Sequence, residues 1–148
     1  MDIQEQFYDY IENNDINNIK SLLNDKRIDP SDENNLAFIL ASDKGHFDIV
    51  KLLLKDKRVN PSDRNNWAIQ LASQNGYFDI FKLLLEDNRV DPSDKNNCAI
   101  ILASHNGHVA IVNLLWQDQR VKDTLKVDDK ELYNELIKND IKEKIEVF

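Results

Sequence analysis

Three side chains that could do chemistry stand close together in the second half of the chain. Cys98 is the single cysteine, and His105 and His108 follow it. A thiol beside an imidazole is the arrangement of a cysteine nucleophile and its general base. Two histidines three residues apart could instead hold one metal ion. A Cys98–His105 dyad and a His105–His108 metal pair are therefore the first hypotheses to weigh.

The elements that must position these side chains argue against both sites. Cys98 and His105 fall on one predicted helix, where seven residues rise about 10.5 Å, several times the length of a hydrogen bond. Gly107 lies between the two histidines and is expected to end that helix, so their rings should diverge. A third metal ligand of the right kind is missing nearby in the sequence. We expect no catalytic residue, no metal and no cofactor, and a small hydrolase is the least favoured alternative.

A period of 31 residues organises the chain. It separates the three glycines and also the three prolines, which are Gly45, Gly76, Gly107, Pro30, Pro61 and Pro92. Glycine and proline placed on one fixed period indicate a repeat array rather than an irregular globular fold. The units align without gaps as residues 29–59, 60–90 and 91–121.

Each unit contains the pattern of two helices. The first runs from an Asn-Asn pair through Leu-Ala-Ser, and the pair is expected to supply the N-cap oxygen. The second follows the glycine and buries a wide apolar stripe, as at Ile49, Val50, Leu53 and Leu54. The units are joined by Asp-Pro-Ser-Asp or Asn-Pro-Ser-Asp, and the last Asp of this segment is expected to cap the turn.

The two ends resemble degraded copies of the unit. Residues 1–28 keep the second helix, with Asn14 where the repeats have glycine. Residues 122–148 are predicted to hold a polar first helix from Asp128 to Ile137 and a second turn at Asn139. The expected fold is an all-α solenoid of five helix pairs with short β-turn loops. One domain, residues 1–148, would contain two caps and three full repeats.

Several recurring side chains are predicted to serve packing. Histidine at position 46 or 108 alternates with Tyr77, which indicates a structural role. Trp116 replaces a repeated leucine and should pack against the helix predicted at 128–137. An arginine recurs two residues after an aspartate at Arg27, Arg58, Arg89 and Arg120. We expect each arginine to bond loop carbonyls or carboxylates of an adjacent repeat, and an anion-binding or partner-binding stripe is the alternative.

The run LASDKGHFDIVKLLL, from Leu40, resembles the ankyrin repeat core LAA-x-x-GH-x-E-V-V-K-LLL. The resemblance is strong over 29–121 and weak at both ends. The family's Thr-Pro-Leu-His motif is absent, since Trp67-Ala68-Ile69-Gln70 stands in its place, so asparagine and apolar packing must replace that hydrogen-bond network. This DPSD-type variant looks like the ankyrin families expanded in large DNA viruses of amoebae and in some protists.

The resemblance implies a non-enzymatic module that binds a protein through a concave groove and its loop tips. Residues that differ between similar repeats are those the fold does not dictate, and they match this surface. The predicted partner-binding residues are Glu33, Arg64 and Lys95 at the tips, Trp67 and Cys98 at the helix starts, and Asp43, Lys44, Gln74, Asn75, His105 and Asn106 at the first-helix ends. Trp67 is either an interface anchor or packed in a row with Leu36 and Cys98.

The composition of the chain limits the classes of partner that it is expected to bind. The net charge of −8 disfavours nucleic acid and anionic membranes and favours a protein with a basic or neutral surface. A single cysteine excludes an internal disulfide and suits a reducing compartment. We therefore expect a monomer in the cytoplasm, the host cytoplasm if the chain is viral. The alternative to a binding module is a structural or surplus repeat protein without a tight ligand.

Overall fold

The computed structural model describes residues 2–146, with the side chains of 2–140 and 142. Within that range ten helices follow one another in five pairs. They are α1 (Ile3–Glu12), α2 (Ile16–Leu22), α3 (Asp32–Asp43), α4 (Phe47–Leu54), α5 (Asp63–Asn75), α6 (Phe78–Leu85), α7 (Asp94–His105), α8 (Val109–Gln117), α9 (Gln119–Asp128) and α10 (Lys130–Glu146).

The helices form two layers around one core. The first helices pack in the order α1, α3, α5, α7, α9, and the second helices pack as α4 on α6 and α6 on α8. A continuous cluster of buried side chains runs between the layers, from Phe7 through Phe38, Ile69 and Ile100 to Leu125. Each such apolar side chain contributes roughly 1.5–3 kcal/mol when buried. The predicted all-α solenoid of five helix pairs is confirmed.

The layout predicted for the last pair is wrong. Its first helix, α9, starts immediately after Asp118, whose side chain accepts a hydrogen bond from the Arg120 N–H and so starts a helix without a loop. The second helix, α10, runs unbroken through Asn139, where a turn was expected. Asn14 does adopt the left-handed turn, with φ of 56°. Asparagine inside a helix costs less than about 1 kcal/mol relative to alanine, so Asn139 alone does not end α10.

The Asn-Asn pairs do not cap the first helices as predicted. Each pair belongs to three consecutive left-handed residues, with φ of 49° at Glu33, 57° at Asn34 and 61° at Asn35. The same run recurs from Arg64 to Asn66 and from Lys95 to Asn97. Left-handed backbone costs most L-residues roughly 1–2 kcal/mol, and asparagine tolerates it best. The right-handed helix therefore begins only after the second asparagine.

The second asparagine of each pair is buried and bonds the next repeat. Asn66 Oδ1 accepts from the Asp91 N–H at 2.8 Å, and Asn66 Nδ2 donates to Asp94 Oδ2 at 2.8 Å. Asn35 makes the same two bonds to the backbone of Asn60 and the carboxylate of Asp63. Asp63 and Asp94 were expected to cap their own turns. Each keeps one local bond and gives its other oxygen to the preceding repeat.

The arginine prediction is confirmed for three of the four positions. Arg58, Arg89 and Arg120 each pair with the aspartate two residues earlier and donate across to the preceding repeat. The acceptors are the carbonyls of Ile28, Val59 and Val90, at 2.9, 3.1 and 3.2 Å. Arg27 pairs with Asp25, and no described residue accepts from it across a junction. Arg58, Arg89 and Arg120, which we call the arginine ladder, thus hold neighbouring repeats together.

The predicted packing of the ring positions is also confirmed. Tyr77 and His108 lie against Gly45 and Gly76 of the preceding repeat, so closely that an added Cβ would come within 2.9 and 2.5 Å of the rings. His108 Nε2 lies 2.9 Å from the carbonyl oxygen of Gln74 and must donate to it. Trp116 is buried and meets Tyr133 of α10 edge-on, with ring centroids 5.5 Å apart.

Candidate partner-binding surface

The three loop tips present one charged side chain each. Glu33, Arg64 and Lys95 are exposed and occupy the first of the three left-handed positions. Arg64 Nη2 donates to the carbonyl oxygen of Glu33 at 2.7 Å, which ties two neighbouring tips together. The charged ends of Glu33 and Lys95 meet no partner among the described residues. The fold therefore uses Arg64 and leaves the other two charges to solvent.

Trp67 is the exposed member of its row. It is 39% exposed, whereas Leu36 and Cys98, at the same position of the neighbouring repeats, are half-buried. The Arg64 guanidinium lies over the indole at 5.5 Å from the ring centroid. A cation–π contact at an exposed site contributes about 0.5–1 kcal/mol, which favours this orientation of the ring by a factor of about 2–5. Trp67 is thus accessible and pre-positioned.

The predicted residues at the first-helix ends divide into two kinds. Asn75 Nδ2 donates to the Asp43 backbone and side chain, each at 3.1 Å, and Lys44 pairs with Glu12 at 2.7 Å. Asn106 caps its own helix by bonding the Leu102 carbonyl. The exposed side chains of Gln74 and His105 meet no partner in the part of the chain that the structure describes. Gln74 and His105 are consequently the two that the fold leaves unused.

The helix-start positions Leu36, Trp67 and Cys98 form a tip row, and the first-helix ends Asp43, Gln74 and His105 form an end row. Both rows lie on the same three helices. Seven residues separate Trp67 from Gln74, a rise of about 10 Å along α5. Because α3, α5 and α7 pack side by side, both rows extend across all three repeats. Gln70 lies between them and bonds the Asn65 carbonyl at 2.7 Å. The arrangement offers a surface about 10 Å wide, with the Trp67 side chain in the middle repeat at the edge next to the loop tips.

Cys98 does not have the low thiol pKa that a catalytic cysteine needs. Burial raises the pKa of its thiol, so it stays protonated, whereas a nucleophilic cysteine needs a lowered pKa. Among the described residues, no three His, Cys, Asp or Glu side chains cluster as a metal site would require. The helices within 2–146 are all too short or too polar to cross a bilayer.

Sequence reasoning missed some exposed apolar side chains. Phe78 and Val109 start the second helices and are 39% and 65% exposed. Their position is apolar in every repeat, so periodicity alone assigns it to the core. The signal that could have separated them is their place in the first turn, before the buried stripe begins at Ile80 and Ile111.

Comparison with known proteins agrees with this geometry. The family model described as ankyrin repeats (3 copies) matches residues 7–96, which is more than half of the chain. Neither a curated protein nor a solved structure matches. Ankyrin repeats are generally protein–protein interaction modules, and members of the family are generally non-enzymatic. The helix pairs, the ring-on-glycine contacts and the family match together show that the chain belongs to the ankyrin repeat family.

Proposed function

We propose that this chain is a non-enzymatic module that binds a protein partner through its loop tips and first-helix ends. The observation that carries the proposal is Trp67, exposed in the middle repeat of the surface and in contact with the Arg64 guanidinium. Exposed tryptophans and arginines are the commonest anchors of protein interfaces. An aromatic ring kept in one orientation loses little side-chain entropy when a partner covers it.

The side chains that the fold leaves unused supply specificity around this anchor. Glu33, Lys95, Gln74 and His105 place one acid, one base, one amide and one imidazole around Trp67. Charges at the edge of an interface select partners and set the rate of association more than they raise affinity. The net charge of −8 favours a partner with a basic or neutral surface over a polyanion.

The proposal places one domain over residues 1–148, acting as a monomer in the cytoplasm. Three full repeats that begin at residues 29, 60 and 91 lie between the pair α1–α2 and the pair α9–α10, and because α9 begins at Gln119 the last pair starts three residues before the predicted boundary at 122. Cys98, the single cysteine, is consistent with a reducing compartment. The DPSD turns and the Asn-rich composition support the likeness to viral and protist variants, which would put a viral chain in the host cytoplasm.

A second candidate is a structural repeat protein without a tight ligand. It is favoured by the use of Asp43, Lys44, Asn75 and Asn106 in bonds within the chain. Such a protein would expose Trp67 without burying it in any complex.

Affinity capture from the native host cell distinguishes the two functions. Wild type, Trp67→Ala and Arg64→Glu are compared at moderate ionic strength, with Phe78→Ala as matched control because Phe78 is equally exposed, at 39%, on a second helix. Loss of an anchor weakens binding by about 2 kcal/mol or more, so Trp67→Ala and Arg64→Glu should lose the partner and Phe78→Ala should keep it. Retention of every captured protein by the first two variants would contradict the proposed surface.

A further inference from the structure

The three loop tips differ in charge in a fixed order along the stack. Glu33, Arg64 and Lys95 have nearly the same backbone, with φ of 49°, 52° and 53°, so their side chains leave the loops in the same direction. Arg64 is engaged within the chain, because its guanidinium donates to the Glu33 carbonyl and lies over Trp67. Exposed Glu33 and exposed Lys95 therefore give the loop tips an acidic end and a basic end.

The end row repeats this order. Asp43, Gln74 and His105 place a carboxylate, an amide and an imidazole at the same position of successive repeats. Lys44 does not reverse the order, because it pairs with Glu12 at 2.7 Å. The aspartates of the joining segments recur in every repeat and so add the same charge to each. Among the positions that vary, both edges of the surface therefore have their carboxylate on α3 and their basic nitrogen on α7.

The helices that flank the surface extend the same polarity. α1 packs on α3 and its charged residues are all acidic, namely Glu5, Asp9 and Glu12. α9 packs on α7, and its basic and acidic residues nearly balance. The excess of negative charge therefore lies on the α3 side. Charges summed over a surface create a field that acts on a charged ligand before contact, so this field favours one charge order in whatever lies along the surface.

The spacing of the tips sets the length of a ligand that reaches both charges. Packed helices lie about 8–10 Å apart, so the two steps from α3 to α7 cover about 16–20 Å. An extended chain rises about 3.3 Å per residue, so six residues cover about 20 Å. Alternate side chains of an extended segment share one face, so the first and seventh residues point the same way, with the third and fifth between them. The third and fifth residues would fall over the middle repeat, where Trp67 lies.

We propose that the surface binds an extended segment of another protein that has a basic residue at one end, an acidic residue six positions away and two apolar residues between them. The basic residue contacts Glu33, the apolar residues cover Trp67, and the acidic residue contacts Lys95. A segment with one sign of charge would set a like charge against one of the two tips. The inference rests on the proposed function and adds to it the chemistry and the order of the partner's side chains.

Three synthetic peptides test the charge order. Their sequences are KSLSLSE, KSLSLSK and ESLSLSE, with acetylated and amidated ends so that the termini add no charge. Binding is followed by NMR at moderate ionic strength through the indole N–H signal of Trp67, which is identified by its loss in Trp67→Phe. We expect KSLSLSE to bind wild type with saturation and about fivefold more tightly than the other two, since each of those replaces one exposed ion pair by a repulsion. Failure of KSLSLSE to shift the Trp67 signal, or equal binding of the three peptides, would overturn the proposal.

Two exposed lysines provide the matched variants. Lys95→Glu should weaken the binding of KSLSLSE about fivefold and make KSLSLSK the preferred peptide. Lys82→Glu changes the net charge equally but lies on α6 in the second-helix layer, so it should leave the preference unchanged. Glu33→Lys should make ESLSLSE the preferred peptide. The same preference in Lys95→Glu and Lys82→Glu would overturn the proposal.

These measurements separate the inference from the proposed function. If Trp67→Ala weakens the binding of KSLSLSE but Lys95→Glu behaves like Lys82→Glu, the charge order is wrong and the surface still binds. If the protein captured from the host cell is retained by Trp67→Ala, the proposed function itself is wrong. Sedimentation that shows a wild-type dimer and a Lys95→Glu monomer would assign the surface to a second copy and overturn the choice of another protein.

Discussion

The first and last helix pairs of the stack meet the repeats in different ways. At the first pair, Gln4 exchanges two hydrogen bonds with the backbone of Asp29, and the Tyr8 hydroxyl donates to Asp32 at 3.1 Å. Gln4 and Tyr8 together make the two kinds of bond that the single Asn66 makes inside the stack, one to a backbone N–H and one to a carboxylate. At the last pair, Asn97 is kept and bonds Thr124 and Asp128 of α9.

The second-helix layer shows the contrast most clearly. The first-helix layer is continuous from α1 to α9, but α8 and α10 leave a cleft, and in the part of the chain that the structure describes no ring covers Gly107. The two layers are therefore specified by different contacts. Hydrogen bonds to asparagine or its substitutes join the first helices, and rings on glycine with apolar stripes join the second helices.

The largest effect is expected from removing a buried asparagine inside the stack. Asn66→Ala removes the hydrogen bond to the Asp91 N–H, which contributes about 0.5–1.5 kcal/mol, and the bond to the charged Asp94 carboxylate, which contributes about 1.5–3 kcal/mol. We expect a loss of about 2–4 kcal/mol in the free energy of unfolding, measured by chemical denaturation.

The neighbouring Asn65→Ala is the matched control for this variant. Asn65 has nearly the same left-handed backbone, is exposed and makes no side-chain hydrogen bond to another described residue. Its loss should be about 1 kcal/mol, from backbone conformation alone. Equal losses in the two variants would mean that the inter-repeat bonds contribute nothing.

An intermediate effect is expected from the arginine ladder. Arg89→Ala removes the bond to the Val59 carbonyl and the pair with Asp87, and should cost about 1–1.5 kcal/mol. Arg27→Ala removes only a fully exposed surface pair and should leave the free energy of unfolding almost unchanged. Thermal or chemical unfolding of both variants measures the difference, and a larger loss for Arg27→Ala would contradict it.

Apart from the Arg27→Ala control, the smallest effect is expected at the first pair, where Tyr8→Phe removes one hydroxyl. The cost at neutral pH should be about 0.5–1 kcal/mol. Burial raises the pKa of Tyr8 from 10.0 to about 12, so the folded state favours the protonated phenol. This stabilisation is complete below pH 10 and is lost as the pH rises towards 12. Unfolding measured against pH should show that loss in wild type, and a Tyr8→Phe variant with the same alkaline loss would refute the assignment.

The period, the helix pairs and the packing roles of Tyr77 and His108 could be predicted because they depend on spacing and on apolar pattern. The function of Asn35 and Asn66 could not, since capping is a local rule and their partners lie in the next repeat. The unbroken α10 escaped prediction because Asn139 occupies the turn position of the repeat, but no glycine is present there to end the helix.

The candidate surface could be predicted in outline. Variation between repeats identified Trp67, Gln74 and His105, which are exposed. It could not distinguish them from Lys44 and Asn75, because whether an exposed polar side chain is bonded depends on the neighbouring repeat's rotamers. Val109 escaped prediction because its position is apolar in every repeat, although it lies in the first turn of α8, before the buried stripe begins at Ile111.

In each run of three left-handed residues, the first position varies between repeats and the next two are always asparagine. Glu33, Arg64 and Lys95 have three different charges or shapes on the same backbone, so the loop accepts exchange at that place. Both asparagines that follow adopt the left-handed backbone, and the second of them, as at Asn66, bonds the next repeat. An engineer could therefore retarget such a chain by rewriting a single residue per loop, leaving the architecture untouched.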